Sequence, residues 1–362
     1  MRPGASRRER QWIVLSLKIL VSLTLLAIVL GMNRDALART LAQKPRYSVW
    51  FLALVAYLTG VMLALVRWWL LVRSQSLPFP LKDAFRLGWI GMFFNLVIPG
   101  AVGGDVIKGA YLAKEHQHKG RAIASIVVDR LVALLGLFFL ASTFGLIGWA
   151  RLDSRARPIV IASIVAMGLC VCGLVLAFSI RPHGPLSRRL AGHPGWIRRI
   201  EELHAMGIAY RRSLPQVGLG ILMAFATHLL NATAFYGVIQ AIGPGAARPT
   251  LLETFSIVPL ILFSTAIPLP FSGLGASENV SALLFQTLGY SGGAVAMIGF
   301  RLFQLVAAII GATVYLTSRS RRPLKLELDG PVDYTEGPPL RGAPSVGVAA
   351  EPTALTSFDV PS

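Results

Sequence analysis

Charged side chains occur inside or beside the apolar segments of this sequence, where little water surrounds them. They are Asp105, Lys108, Asp129, Arg130, Glu278 and Arg301. A charge at the centre of a bilayer costs about 2.5–3.5 kcal/mol on insertion scales, so these side chains should face a polar cavity, pair with one another or lie near an interface. Charges placed in this way are typical of a substrate or ion pathway.

Asp105 and Glu278 each follow a stretch rich in glycine and proline, where a helix should start. The stretches are "VIPGAVGGDVIKG" (97–109) and "IPLPFSGLGASEN" (267–279). A helix N-terminus attracts an anion such as a phosphate, and glycines let the backbone approach it closely. We expect Asp105 to cap its helix and Glu278 to lie in the first turn of the other. Either a cation neutralises these carboxylates so that a phosphate binds, or the carboxylates bind a cationic group. The candidate neutralising cations are Lys108, Arg130 and Arg301.

The elements that position these residues must be membrane-spanning. The chain of 362 residues is 54% hydrophobic and 14% charged, with a mean hydropathy of +0.62, whereas soluble domains are about 25% charged. Around 20 apolar residues cross the hydrocarbon layer. The sequence therefore predicts an all-α, polytopic transmembrane helical bundle. Full spans are predicted at 12–32, 49–72, 121–150, 159–180, 215–242 and 293–317.

Two further apolar regions, 87–113 and 251–288, contain the glycine- and proline-rich breaks and predict two re-entrant or broken helical hairpins. If both hairpins return to their own side, the arginine-rich segment 181–212 stays cytoplasmic, as the positive-inside rule favours, and so do both termini. Each hairpin then lies between two full spans, and the second such unit is inserted the opposite way up. Interrupted segments in corresponding positions of inverted units point to a transporter binding site.

Residues 1–322 are predicted to form the membrane domain, and the proline-rich residues 323–362 a disordered tail, because the tail has few large apolar residues to bury.

The net charge of +18 suggests nucleic-acid binding. Its clustering in short loops is better explained by membrane topology, so no nucleic-acid partner is expected. Cys170 and Cys172 share one apolar span, so no disulfide or thiol metal site follows, and no cofactor or metal is expected. Arg67 is expected to snorkel toward the headgroups.

Three stretches in order resemble the lysylphosphatidylglycerol synthase transmembrane region, also called the flippase-like domain family. They are "FFNLVIPGAVGGDVIKGAYLAKE" (93–115), "AIASIVVDRLVALLGL" (122–137) and "IPLPFSGLGASENVSALLFQTLG" (267–289), and the resemblance extends over about residues 12–317. The residues that match the family pattern, and so are implied as site residues, are Asn95, Pro99, Gly103, Gly104, Asp105, Lys108, Asp129, Arg130, Pro270, Gly273, Gly275, Glu278 and Arg301. We add Ser272, which lies in the second break.

The resemblance implies a membrane domain that handles lipids, without the aminoacyl-transferase domain of the bifunctional members. We therefore predict a translocase that moves a phospholipid or polyprenyl-linked lipid across the bacterial inner membrane. Its partners would be membrane lipids, either anionic or aminoacylated phospholipids or polyprenyl-linked lipids. The sequence has no G-x-x-x-x-G-K-[ST] motif, so transport should be passive or ion-coupled. With ion coupling, Asp105 or Glu278 would carry the proton.

Two alternatives remain open. The first is an integral membrane transferase that acts on a lipid, although H-E-x-x-H and G-x-S-x-G motifs are absent from the sequence and no catalytic residue is assigned. The second is a membrane partner or scaffold of a lipid-modifying enzyme.

Overall fold

The computed structural model describes residues 46–75, 77–97, 103–115, 119–151, 154, 157–179, 207–242, 248–266 and 275–319. Within these ranges the regular structure is helical, which confirms the predicted all-α bundle. The predicted first span, 12–32, and the proline-rich segment, 323–362, lie outside the described residues. The main helices are α1 (Tyr47–Arg73), α2 (Leu81–Val97), α3 (Gly103–Glu115), α4 (Lys119–Ile147), α5 (Arg157–Ser179), α6 (Leu214–Ile242), α7 (Leu251–Ala266), α8 (Ala276–Thr287) and α9 (Gly293–Arg319).

Helices α1, α4, α5, α6 and α9 are long and apolar enough to cross a membrane. Their ends lie within a few residues of the predicted spans. Helix α5 packs mainly on α4 and leaves large apolar side chains such as Ile161, Val165 and Leu169 exposed. A helix that is apolar all round needs an apolar environment on every side. Lipid supplies that environment around α5.

Helices α2 and α3 form an antiparallel hairpin. They contain 17 and 13 residues, or roughly 25 and 20 Å at 1.5 Å per residue, which is less than the hydrocarbon thickness of about 30 Å. Arg86 donates to the Tyr111 hydroxyl at 3.4 Å, and nearer the turn Gly91 lies beside Gly104. Because residues early in α2 contact residues late in α3, the chain turns back instead of crossing the membrane.

Helices α7 and α8 form the second hairpin, with 16 and 12 residues. The two helices pack against each other. The Tyr290 hydroxyl, just after α8, donates to Glu253 in the first turn of α7 at 3.1 Å. The start of α7 therefore lies beside the end of α8, and the second interrupted segment also returns to its own side.

Gly103 and Gly104, which lie in the first glycine- and proline-rich break of the sequence, are the first two residues of α3. The role of Gly104 is close packing. A Cβ atom at Gly104 would lie 2.5 Å from the carbonyl oxygen of Gly91 and 2.9 Å from Oδ1 of Asn95. Gly275, in contrast, precedes α8 with a φ of +84°, a conformation that a side chain strongly disfavours.

The contacts between helices repeat under exchange of the first unit, α1–α4, with the second unit, α6–α9. Helix α2 packs on α9, and the equivalent α7 packs on α4, while α1 and α6 share the most extensive interface. Within each unit the hairpin helices contact each other, and the second one contacts the following span. Among the described residues, α5 is the one span between the units, and with one span between them the second unit enters the membrane the opposite way up. The inverted arrangement predicted from the two breaks is confirmed.

The contact between α9 and α2 requires glycine at position 311. A Cβ atom at Gly311 would collide with the main-chain carbonyl oxygen of Trp89, and overpacking of this kind costs about 1–3 kcal/mol. We expect Gly311→Ala to lower the midpoint of thermal unfolding in detergent. The matched control is Gly168→Ala in α5, where nothing lies within 4 Å of the added atom. Equal midpoints for the two variants would contradict the close contact.

Candidate functional site

Each inverted unit contains an ion pair in the same structural position. In the first unit, Asp105 is the third residue of α3, and its carboxylate accepts from Nε of Arg130 on α4 at 2.5 Å. In the second unit, Glu278 is the third residue of α8, and its carboxylate accepts from Nε of Arg301 on α9. In each unit, a carboxylate in the first turn of the second hairpin helix thus pairs with an arginine of the following span.

The second of these pairs also organises the start of α8. Glu278 is 2% exposed, and its Oε2 accepts the Gly275 N–H at 2.7 Å and the Ser277 hydroxyl at 3.1 Å. Arg301 donates from Nη2 to Oγ of Ser277 at 2.6 Å. An acidic side chain in the third helical position commonly accepts the N–H at the helix start. Glu278 therefore both caps α8 and orients Arg301.

The first hairpin is capped by a different residue from the one that the sequence suggested. The Gly104 N–H donates to Oδ1 of Asn95 on α2 at 2.7 Å, while Asp105 is engaged by Arg130. Lys108 lies 3.9 Å from the Asp105 carboxylate and 4.7 Å from the ring centroid of Trp68, a distance typical of a cation–π contact. Asn95 thus ties the two half-helices together near their turn.

Arg67 does not snorkel toward the headgroups. It is 5% exposed and forms a bidentate pair with Asp129, with Nε to Oδ1 at 2.9 Å and Nη2 to Oδ2 at 3.3 Å. The expectation was wrong because α4 packs beside α1 and supplies a counterion that the sequence of α1 does not reveal. The ion pairs of the two units form one mostly buried group, in which four cations outnumber three carboxylates. Its members are Arg67, Asp105, Lys108, Asp129, Arg130, Glu278 and Arg301.

A cavity of about 360 Å³ lies between the two units. Three helices of the first unit (α1, α2 and α4) and their three counterparts in the second (α6, α7 and α9) line it. Arg130 and Arg301 both contribute to its surface, together with Asn95. Its volume falls within the range of about 300–1,000 Å³ that is common for ligand sites. The two arginines, distant in sequence, therefore reach one space.

The predicted site residues divide into groups with different roles. Asn95, Arg130 and Arg301 line the cavity, and Asp105 and Glu278 hold the two arginines in position. Lys108 lies near Asp105, and Asp129 pairs with Arg67. Gly103 and Gly104 begin α3, and Gly275 precedes α8. The residues that lie outside the described ranges are Pro99, Pro270, Ser272 and Gly273. In the described part of the chain, no group of three or more His, Cys, Asp or Glu side chains is placed to hold a metal ion.

Sequence reasoning missed Arg67 and a set of polar side chains on α6. Thr227, His228 and Asn231 all line the cavity. Their spacing places them on neighbouring turns of one helix. The available signal was a cluster of polar residues in an otherwise apolar span.

The fold and the cavity define a polytopic α-helical membrane protein built from two inverted units, each with a re-entrant hairpin. The profile of the lysylphosphatidylglycerol synthase TM region family matches residues 13–311, and the chain belongs to this family. A "UPF0104 membrane protein" from Methanothermobacter thermautotrophicus (strain Delta H) is 24% identical over 262 residues, which cover 67% of this chain and 76% of the relative. No solved structure matches the chain.

The Arg67–Asp129 pair gives a test of the buried ionic group. We expect Asp129→Asn to lower the stability by about 3–5 kcal/mol, because it leaves Arg67 buried without its counterion. Thermal unfolding in detergent measures the loss. The double variant Arg67→Met/Asp129→Asn removes both charges and should recover most of it. A double variant less stable than Asp129→Asn would show that the two charges do not depend on each other.

Proposed function

We propose that this protein moves a lipid with a phosphate-containing headgroup, either a phospholipid or a polyprenyl-linked lipid, across the membrane in which it lies. The observation that carries the proposal is that Arg130 and Arg301, one from each inverted unit, line a single cavity. Guanidinium groups suit phosphate because their N–H donors form a planar fork that matches its oxygens.

The carboxylates prepare the arginines for this role. The Arg130 side chain is 42% exposed and that of Arg301 is 14% exposed, whereas Asp105 and Glu278 are 13% and 3% exposed. A carboxylate that accepts from Nε holds each guanidinium, a group with five N–H donors in all, at the wall of the cavity. The excess of cations over carboxylates in the buried group further favours an anionic ligand.

The inverted units supply a way to expose the cavity to each side in turn. In transporters built from inverted repeats, one unit rocks against the other around a site at their interface. Here the extensive α1–α6 contact and the equivalent α2–α9 and α4–α7 contacts form that interface. A headgroup in the cavity would be shielded from the hydrocarbon while its acyl or prenyl chains stay in the lipid.

The proposed membrane is a bacterial inner membrane, with both termini in the cytoplasm. The arginine-rich segment 181–212 supports this orientation through the positive-inside rule. The substrate would be an anionic or aminoacylated phospholipid or a polyprenyl-linked lipid. With no nucleotide-binding motif in the sequence, movement would be passive or ion-coupled, with Asp105 or Glu278 as the proton carrier in the second case.

The proposal is tested with the full chain in liposomes that contain acyl-labelled fluorescent phosphatidylglycerol. Membrane-impermeant dithionite bleaches the outer leaflet, and the lipid that moves outward is then bleached as well. We expect Arg301→Gln and Arg130→Gln to slow this movement about tenfold or more, because a hydrogen bond to a charged group contributes about 1.5–3 kcal/mol.

Arg73→Gln is the matched control. Arg73 is exposed at the end of α1, so this variant should leave the rate unchanged. Wild-type rates in both cavity variants, at equal protein incorporation, would contradict the proposal. Mass spectrometry of the same liposomes tests the rival assignment, because a new lipid species would indicate a transferase.

A further inference from the structure

Two cations share the carboxylate of Asp105 in the first unit. Oδ2 of Asp105 accepts from Nε of Arg130 at 2.5 Å, and Oδ1 lies 3.9 Å from Nζ of Lys108. The first contact is a hydrogen bond, whereas the second exceeds hydrogen-bond distance. Lys108 is therefore a close cation that leaves Asp105 to Arg130 in this arrangement.

The position of Lys108 allows it to take a closer place. It lies one turn after Asp105 on α3, its side chain is 14% exposed, and its ammonium is 4.7 Å from the ring centroid of Trp68. A lysine carries three N–H donors on a flexible four-carbon stem. A shift of about 1 Å would bring Nζ within the distance of about 2.7–2.9 Å that is typical of a charge-assisted hydrogen bond to a carboxylate.

The second unit differs at the same point. Among the described residues, no second cation lies within ion-pair distance of Glu278, which accepts from Arg301. One turn after Glu278, α8 has the neutral Ser281, whose hydroxyl donates to a main-chain carbonyl at 2.7 Å. The Arg301 side chain is 14% exposed, against 42% for Arg130. Release of Arg301 would leave Glu278 buried without a cation, which is strongly unfavourable.

We propose that Lys108 is a positioning residue, which replaces Arg130 on Asp105 when Arg130 turns to a phosphate in the cavity. The exchange keeps the buried carboxylate paired, so Arg130 can follow the ligand at little cost in stability. Arg301 stays on Glu278 throughout. The inference rests on the proposed function and gives the two arginines unequal tasks, because the first moves with the phosphate and the second is a fixed contact.

Single substitutions of the two arginines test the exchange without any lipid. Arg301→Gln leaves Glu278 without a cation and should lower the midpoint of thermal unfolding in detergent by about 10 °C. Arg130→Gln leaves Asp105 with Lys108 and should lower the midpoint by only about 3 °C. Equal losses for the two variants would overturn the inference.

Removal of both cations from Asp105 is the decisive comparison. Lys108→Met alone should lower the midpoint by about 3 °C or less, but Lys108→Met/Arg130→Gln should lower it by about 10 °C, because each cation compensates for the absence of the other. Lys114→Met/Arg130→Gln is the matched control, since Lys114 is exposed in the last turn of the same helix. It should be as stable as Arg130→Gln. Additive losses for Lys108 and Arg130 would overturn the inference.

A third substitution keeps the test decisive if Lys108→Met/Arg130→Gln does not fold. Asp105→Asn, added to that variant, removes the carboxylate that has lost both cations and should restore a folded protein. A triple variant that is no more stable than the double variant would show that the unpaired carboxylate is not the cause.

The liposome assay tests whether the exchange takes part in lipid movement. Lys108→Met should slow the movement of phosphatidylglycerol about tenfold, because Arg130 can then leave Asp105 only by breaking a charged hydrogen bond that nothing replaces. Lys108→Arg keeps a cation beside Asp105 and should restore most of the rate. A wild-type rate for Lys108→Met at equal incorporation would overturn this role.

The two kinds of measurement separate this inference from the proposed function. A loss of stability in the double variant that exceeds the sum of the single losses, with no lipid movement by the wild type, would support the exchange of cations and contradict transport. Additive losses with lipid movement intact would defeat the exchange and leave transport standing.

Discussion

The architecture depends on keeping charged side chains inside an apolar bundle. An arginine in a membrane-spanning helix is costly unless it is paired or reaches water, and here Arg130 and Arg301 are each paired with a carboxylate at the start of a half-helix. Because that half-helix begins within the membrane region, its carboxylate meets the arginine there. Loss of either pair would leave a buried charge and detach the hairpin from the span beside it, so one interaction stabilises both the fold and the cavity.

The two units share a backbone plan but differ in charge. The sixth residue of α3 is Lys108, whereas the sixth residue of α8 is Ser281, which donates to the Gly293 carbonyl at 2.7 Å. Asp129 precedes the arginine of α4, whereas Phe300 precedes that of α9. The first unit therefore surrounds its arginine with further ions, and the second with serine and apolar side chains. A headgroup in the cavity would meet unlike surroundings on its two sides.

Local signals were enough to predict the five spans that the structure describes, the two breaks and the buried charges. Long apolar runs define spans, and glycine and proline define breaks, without reference to the rest of the chain. The partners of the charges could not be predicted in this way. Arg67 pairs with Asp129 only because α1 lies beside α4, and Gly104 is required by the approach of Gly91 in the preceding helix. Both facts depend on how helices pack, which one sequence does not reveal.

The polar residues of α6 were missed for a related reason. Polar side chains in membrane helices often bond to neighbouring helices, so the sequence alone did not separate Thr227 and Asn231 from structural residues. In the structure they stay without partners although each such atom costs about 1–3 kcal/mol. Helix α6 is also the helix most extensively packed on α1, through small residues at Gly60 and at Gly237, where a Cβ atom would lie 2.6 Å from that of Ala53. Because α6 is held this closely, its polar atoms cannot shift to find partners within the protein. Buried polar atoms without hydrogen bonds are expected at functional sites, where the rest of the fold offsets their cost in stability.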